Sequence, residues 1–145
     1  MSTGIPPLEP SGDLPPGVYP CGLDEVESSF GDATETRRRL MERLRDWVQL
    51  ARSVGATRTI LGGSFASTKP HPGDVDLVVL LPDDFLDRVR AGDQDAVRLH
   101  RIMTLRDPGD LLPAFGNASL DRWCDFLSRP RSPEGDERGL LEIVV

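Results

Sequence analysis

The apolar residues between positions 34 and 54 recur at the spacing of a helix. Leu40, Leu44 and Val48 follow one another at four-residue intervals, which places them on one face, and charged residues occupy half of the other positions. Gly55 follows the last apolar position and supplies a stop signal. The pattern predicts a long amphipathic helix over residues 34–54, packed against the rest of the domain. The same reasoning predicts shorter helices over residues 23–30, 83–91, 94–106 and 120–127.

Three segments have the composition of strands. Residues 58–61 carry β-prone side chains and stop at two glycines, and residues 139–145 read as a final strand. Residues 75–81 are almost wholly apolar and end before Pro82, which is typical of a strand covered on both faces. We therefore predict an α/β (α+β) fold, a small mixed sheet flanked by helices. Residues 1–20 contain six prolines, so we expect an extended or disordered segment ahead of a single domain at 21–145.

Charge and cysteine usage narrow the function classes. The net charge is −7, which gives no reason to expect broad nucleic-acid binding, because phosphate-backbone affinity comes from clustered Lys and Arg. Cys21 and Cys124 are the only cysteines and form no CxxC motif, so neither zinc nor a disulfide framework is indicated. No apolar run approaches the roughly 20 residues of a membrane span, and residues 1–10 do not read as a signal peptide. We expect a cytoplasmic protein without membrane contact.

The candidate chemistry lies between residues 61 and 81. Asp74 and Asp76 begin the apolar strand, and side chains two positions apart on a strand point to the same side. Two carboxylates held together suit Mg²⁺, which favours a few carboxylates plus phosphate oxygens. Gly62 and Gly63 allow backbone N–H groups to approach an anion, and the Ser64 hydroxyl can donate another hydrogen bond. The aspartate pair and the glycine turn together suit a metal–triphosphate ligand.

This segment resembles the DNA polymerase β-type nucleotidyltransferase superfamily, in which an apolar residue, Gly and Gly or Ser are followed after about ten residues by Asp-x-Asp. Nine residues separate Ser64 from Asp74. The chain also resembles a group of small bacterial nucleotidyltransferase-like proteins through LPPGVYPCGLDEVESSFG, GSFASTKPHPGDVDL, WCDFLSRPR and RGLLEIVV, which together touch most of residues 14–145.

The resemblance implies a minimal nucleotidyltransferase fold with Mg²⁺ or Mn²⁺ as cofactor and a nucleoside triphosphate as substrate. Gly63 and Ser64 would hold the β- and γ-phosphates, and Asp74 and Asp76 would ligate the metals. The expected function is transfer of a nucleoside monophosphate to a protein, RNA or small-molecule acceptor. Small proteins of this superfamily often look like one half of a toxin–antitoxin or defence pair, which implies a possible protein partner.

The resemblance leaves one residue unassigned. A third carboxylate on a later strand normally completes this site, yet the sequence after Arg106 shows no clear apolar–Asp–apolar strand. Asp110, Asp121 and Asp125 are poor candidates, and Asp121 is the best of them. The alternative function is therefore a non-catalytic nucleotide-binding or regulatory module that keeps the fold. A purely structural interaction protein would require both motifs to be coincidence.

Simpler interpretations remain open for several residues. Asp74 and Asp76 could be solvated residues at the start of a strand, and the two glycines could form only a turn. Lys69, the single lysine of the chain, either touches phosphate or is an ordinary surface residue. His71 fits an exposed loop better than a general base. The tryptophans Trp47 and Trp123 are most simply packing residues, and the arginine run Arg37, Arg38 and Arg39 is most simply a solvated helix face.

Overall fold

The structure, a computed structural model, describes residues 4–107, 109–130 and 133–144. This part of the chain contains both strands and helices. They are β1 (Val18–Cys21), α1 (Leu23–Phe30), α2 (Glu35–Ser53), β2 (Arg58–Gly62), a single 3-10 turn (Ser64–Ala66), β3 (Asp76–Leu80), α3 (Phe85–Arg90), α4 (Gln94–Leu105), β4 (Asp110–Ala114), α5 (Asn117–Leu127) and β5 (Leu140–Ile143).

The strands form one mixed sheet in the order β1-β5-β2-β3-β4. The outer pairs β1–β5 and β3–β4 are parallel, whereas β2 is antiparallel to both of its neighbours. Helices pack on both faces, which confirms the predicted α+β fold with a small mixed sheet flanked by helices. No helix in the described ranges is long and apolar enough to cross a membrane.

Strand β3 divides the core because its side chains alternate between the two faces of the sheet. Leu77 and Val79 belong to the larger hydrophobic cluster, which also contains the apolar face of α2. Val78 and Leu80 belong to the smaller cluster, which is covered by α5. The prediction that this strand is covered on both faces is confirmed.

The long predicted helix is confirmed as α2. Thr34 is its N-cap, and the Thr34 hydroxyl accepts a hydrogen bond from the Arg37 N–H at 3.1 Å. Trp47 is 1% exposed and packs in the larger cluster, as the simpler interpretation of that residue predicted. The helix thus supplies the main cover for one face of the sheet.

The packing of the described chain begins ahead of residue 21, the predicted start of the domain. Leu14 is 1% exposed, and β1 pairs with β5 along its full length. The Thr68 N–H donates to the Gly12 carbonyl at 3.0 Å, so this segment also contacts the loop after the 3-10 turn. Pro20 is accommodated because β1 lies at the sheet edge. Residues 1–3 lie outside the described ranges.

Strand β4 corrects the interpretation that no clear apolar–Asp–apolar strand lies between Arg106 and Trp123. The strand runs from Asp110 to Ala114 as the other edge of the sheet. Its Pro113 had suggested an interruption, but an edge strand tolerates a missing N–H. The Trp123 indole donates to the Pro113 carbonyl at 2.7 Å and ties α5 to this strand.

Candidate functional site

Three neighbouring strands bring one row of candidate residues together at the same end of the sheet. Gly62, the last residue of β2, is the Cα partner of Asp76, the first residue of β3. Asp76 is in turn the Cα partner of Asp110, the first residue of β4. The predicted glycine turn, one predicted aspartate and a third carboxylate therefore lie side by side.

The glycine turn closes directly onto Asp76. Gly63 has φ 76° and ψ −167°, a conformation that is essentially restricted to glycine. A Cβ atom at Gly63 would lie 2.0 Å from Asp76 Oδ2, so a side chain there would displace the carboxylate. Ser64 follows as the first residue of the 3-10 turn and is half-buried. The glycine is thus required both by the backbone and by the space beside the acid.

Asp76 is held in an environment that disfavours its charge. Burial, followed by the charge of Asp110, a hydrogen bond with that residue and the charge of Asp74, raises the pKa of Asp76 to about 7. Arg138 acts in the opposite direction. A cation beside Asp76 would therefore favour its charged form.

The Asp74 carboxylate, whose charge acts on Asp76, is itself held by several hydrogen bonds. It lies ahead of β3, and its Oδ1 accepts hydrogen bonds from Arg43 at 3.2 Å and from the Val75 N–H at 2.7 Å. Its Oδ2 accepts from the Asp110 N–H at 3.1 Å. Asp74 therefore joins α2 to the start of β4. Among the described residues, no three His, Cys, Asp or Glu side chains converge as a ready metal-binding group.

The resemblance predicts a third carboxylate, for which Asp121 was the best of three poor candidates in the sequence. The structure corrects this choice. Asp121 and Asp125 both lie on α5, which begins at Asn117, and their side chains are exposed. Asp110 instead stands beside Asp76. A guanidinium from Arg106 lies 3.9 Å from the Asp110 carboxylate.

Residues 68–71, in the loop between the glycine turn and the Asp-x-Asp motif, are exposed. Lys69 and His71 are both solvent-exposed, and His71 Nδ1 lies 3.1 Å from the Thr36 hydroxyl. The exposure of His71 agrees with the simpler interpretation of that residue. The main chain of Lys69 is held firmly, since its carbonyl accepts from Arg37.

Two arginines at the site were not identified from the sequence. Arg37, expected on a solvated face, is 2% exposed and its guanidinium donates to the carbonyls around the 3-10 turn. Arg138 donates to the carbonyls of Leu127 and Arg129 at the end of α5. A Cβ at Gly62 would lie 3.1 Å from Leu127, so this helix end adjoins the row of site residues. The helix period could have identified Arg37, because it precedes Leu40 and Leu44 by three and seven residues.

Comparison with known proteins gives a family without a described activity. No curated protein and no solved structure matches the chain at a significant level. One protein family matches residues 6–144, which is nearly the whole sequence. The chain belongs to this family, a family of unknown function (DUF6932).

Proposed function

We propose that this protein binds a metal–nucleoside triphosphate and transfers its nucleoside monophosphate to an acceptor. The observation that carries the proposal is the row of Gly62, Asp76 and Asp110 across three adjacent strands. This row brings Gly62 and Asp76, from the two parts of the sequence motif, beside Asp110, which the sequence offered only as a poor candidate.

The carboxylates fit a divalent cation. Asp76 and Asp110 are hard oxygen donors. Burial and, after it, the charge of Asp110 raise the pKa of Asp76, and a bound cation would favour the charged carboxylate. These two residues would hold Mg²⁺ or Mn²⁺, with Asp74 as the third candidate ligand. A bound divalent cation would supply charge stabilisation at the transferring phosphoryl group.

The turn fits the phosphates. Gly63 removes the side chain that would fill the space beside Asp76, and Ser64 follows it at the start of the 3-10 turn. In the proposed complex these two residues bind the β- and γ-phosphates, and Arg138 contributes positive charge from the end of α5. Lys69, whose side chain is exposed in the loop that follows, is a further candidate for phosphate contact.

The acceptor is the second substrate of the proposed transfer. A protein, an RNA or a small molecule would each suit the proposed transfer. The resemblance to small bacterial nucleotidyltransferase-like proteins favours a protein partner, within a toxin–antitoxin or defence pair. The overall charge of −7 favours a non-polyanionic acceptor, because no general attraction to nucleic acid is available.

The proposal is tested by metal and nucleotide binding in matched aspartate variants. Mn²⁺ affinity is measured by electron paramagnetic resonance, and ATP, GTP, CTP and UTP affinities by calorimetry with Mg²⁺. We expect Asp76→Asn and Asp110→Asn to lose Mn²⁺ binding, whereas the exposed-helix controls Asp121→Asn and Asp125→Asn retain it. Equal Mn²⁺ affinity in all four variants would exclude this site.

One observation favours a second candidate, a non-catalytic nucleotide-binding or regulatory module. Both Asp74 oxygens already accept hydrogen bonds, and the Arg43 guanidinium supplies a positive charge at 3.2 Å. In this module the arginine would replace one metal of a two-metal site. The two candidates are separated by incubation with α-³²P-labelled nucleoside triphosphates, Mg²⁺ and candidate acceptors, with and without a copurifying protein. Nucleotide binding without any labelled product would favour the module.

A further inference from the structure

The guanidinium of Arg37 is buried among main-chain carbonyl groups. Arg37 is 2% exposed, and burial lowers the pKa of its guanidinium, which nevertheless stays charged at neutral pH. Its acceptors are five carbonyl oxygens, those of Phe30, Ser64, Phe65, Ser67 and Lys69. The guanidinium carbon also lies 5.3 Å from the centre of the Phe65 ring. Among the described residues no carboxylate forms an ion pair with it.

Four of the five acceptors belong to one short loop. The Phe65 carbonyl accepts at 2.8 Å and the Ser67 carbonyl at 2.6 Å, with the Ser64 carbonyl at 3.5 Å. The Ser67 hydroxyl reinforces the loop by donating to Ser64 and accepting from the Lys69 N–H. One side chain from α2 therefore fixes both ends of the segment that follows the glycine turn.

The hydrogen bond to the Ser64 carbonyl sets the direction of the next N–H in the turn. In a trans peptide unit the C=O and the following N–H point in opposite directions. Because the Ser64 carbonyl points towards Arg37, the N–H of Phe65 points away from it. The buried charge also has no anionic side chain to neutralise it in the described structure, so it adds positive potential behind the turn.

We propose that Arg37 is a positioning residue that holds residues 64–69 in the shape that receives the phosphate chain of a nucleoside triphosphate. The inference rests on the proposed function, since it assigns the support of the same turn. Arg37 acts through the loop and does not itself touch the ligand. Phosphate binding at the turn should therefore depend on Arg37, whereas metal binding by the carboxylates should not.

The test uses Arg37→Lys and Arg37→Gln, with Arg39→Gln as the control because Arg39 is an exposed arginine on the same helix. Tripolyphosphate affinity is measured by calorimetry with Mg²⁺, and Mn²⁺ affinity by electron paramagnetic resonance. We expect both Arg37 variants to bind tripolyphosphate about 10–100-fold more weakly, the usual loss when a supporting partner is removed. Mn²⁺ affinity and the Arg39→Gln values should stay within about twofold of the unsubstituted protein, an interval set by the small effects of surface changes.

The outcomes separate two failures. Unchanged tripolyphosphate affinity in folded Arg37 variants would overturn this inference and leave the proposed function standing. An unsubstituted protein that binds neither Mn²⁺ nor tripolyphosphate would overturn both. If the Arg37 variants do not fold, nuclear magnetic resonance of the unsubstituted protein decides. We expect a slowly exchanging Arg37 Nε–H signal that shifts when tripolyphosphate is added, and an unmoved signal would contradict the inference.

Discussion

The Arg43 guanidinium of α2 lies 3.2 Å from the Asp74 carboxylate, and the same carboxylate accepts the N–H of Asp110. Both side chains of this ion pair are partly exposed, with 26% and 29% of their surface accessible. Asp74 thus connects a helix and two strand starts. Arg43 competes directly with any cation that would use Asp74.

The competition leads to a prediction for Arg43→Gln. Removing the guanidinium frees one Asp74 oxygen, so Mn²⁺ affinity should rise by up to about fivefold, which corresponds to the roughly 0.2–1 kcal/mol of a partly exposed ion pair. Arg98→Gln, which removes the exposed Arg98–Asp46 pair, is the control. A fall in Mn²⁺ affinity in Arg43→Gln would mean that Arg43 organises the site instead of competing for it.

The raised pKa of Asp76 predicts how stability depends on pH. Between the ordinary value of 3.8 and about 7 the folded protein keeps a proton on Asp76 that the unfolded chain releases. The contribution of this residue to stability therefore falls as pH rises through that window. We expect the melting temperature without metal to be higher at pH 5 than at pH 8, measured by calorimetry.

Two further measurements isolate the cause. Asp76→Asn should flatten the dependence between pH 4 and 7, because it removes the titrating group. Mn²⁺ should stabilise the unsubstituted protein more at pH 8 than at pH 5, since a metal competes with the proton for the same oxygen. A pH profile that is identical in Asp76→Asn would show that another group titrates.

Gly63→Ala tests the space beside Asp76. The backbone conformation alone should cost about 1–3 kcal/mol, and the added Cβ must also displace the carboxylate 2.0 Å away. Gly116→Ala is a matched control, because Gly116 has a similar backbone (φ 95°, ψ 167°) and nothing within 4 Å of its Cβ position. Both variants should lose stability in urea unfolding, but only Gly63→Ala should lose Mn²⁺ and nucleotide binding. Equal binding losses in both would assign the effect to stability alone.

Trp123→Phe tests the link between α5 and β4. The substitution leaves the Pro113 carbonyl without the indole donor, and we expect a loss of about 0.5–1.5 kcal/mol in the free energy of unfolding. Phe115→Leu, at an exposed aromatic residue, should change stability by less than about 0.5 kcal/mol. If the two variants were equally stable, the hydrogen bond would contribute nothing to the edge of the sheet.

The sequence was informative where a local pattern decides the structure. The period of α2, the apolar run of β3 and the stop at Gly62 each depend on neighbouring residues, and each element formed close to its predicted bounds. The sequence failed at β4 because Pro113 weakens a strand pattern unless the strand is at an edge. Whether a strand is an edge is decided by the whole sheet and cannot be read locally.

The same reason explains why the sequence did not reveal how the site residues are arranged. The pairing of Asp76 with Asp110 depends on the parallel register of β3 and β4, which are joined through α3 and α4. Arg37 is similar, since its burial depends on a loop about thirty residues away in sequence. Asp74 and Asp76, two residues apart, were visible from the sequence as a pair, but the hydrogen bonds that turn Asp74 towards β4 were not.

The position of β5 between β1 and β2 has a consequence for how the chain folds. Residues 18–21 pair with residues 140–143, so the sheet cannot be completed until residue 143 has been synthesised. Contacts across such a sequence separation slow folding, because a long loop must close before they form. During synthesis the edge of β2 that pairs with β5 should therefore stay uncovered until β5 emerges.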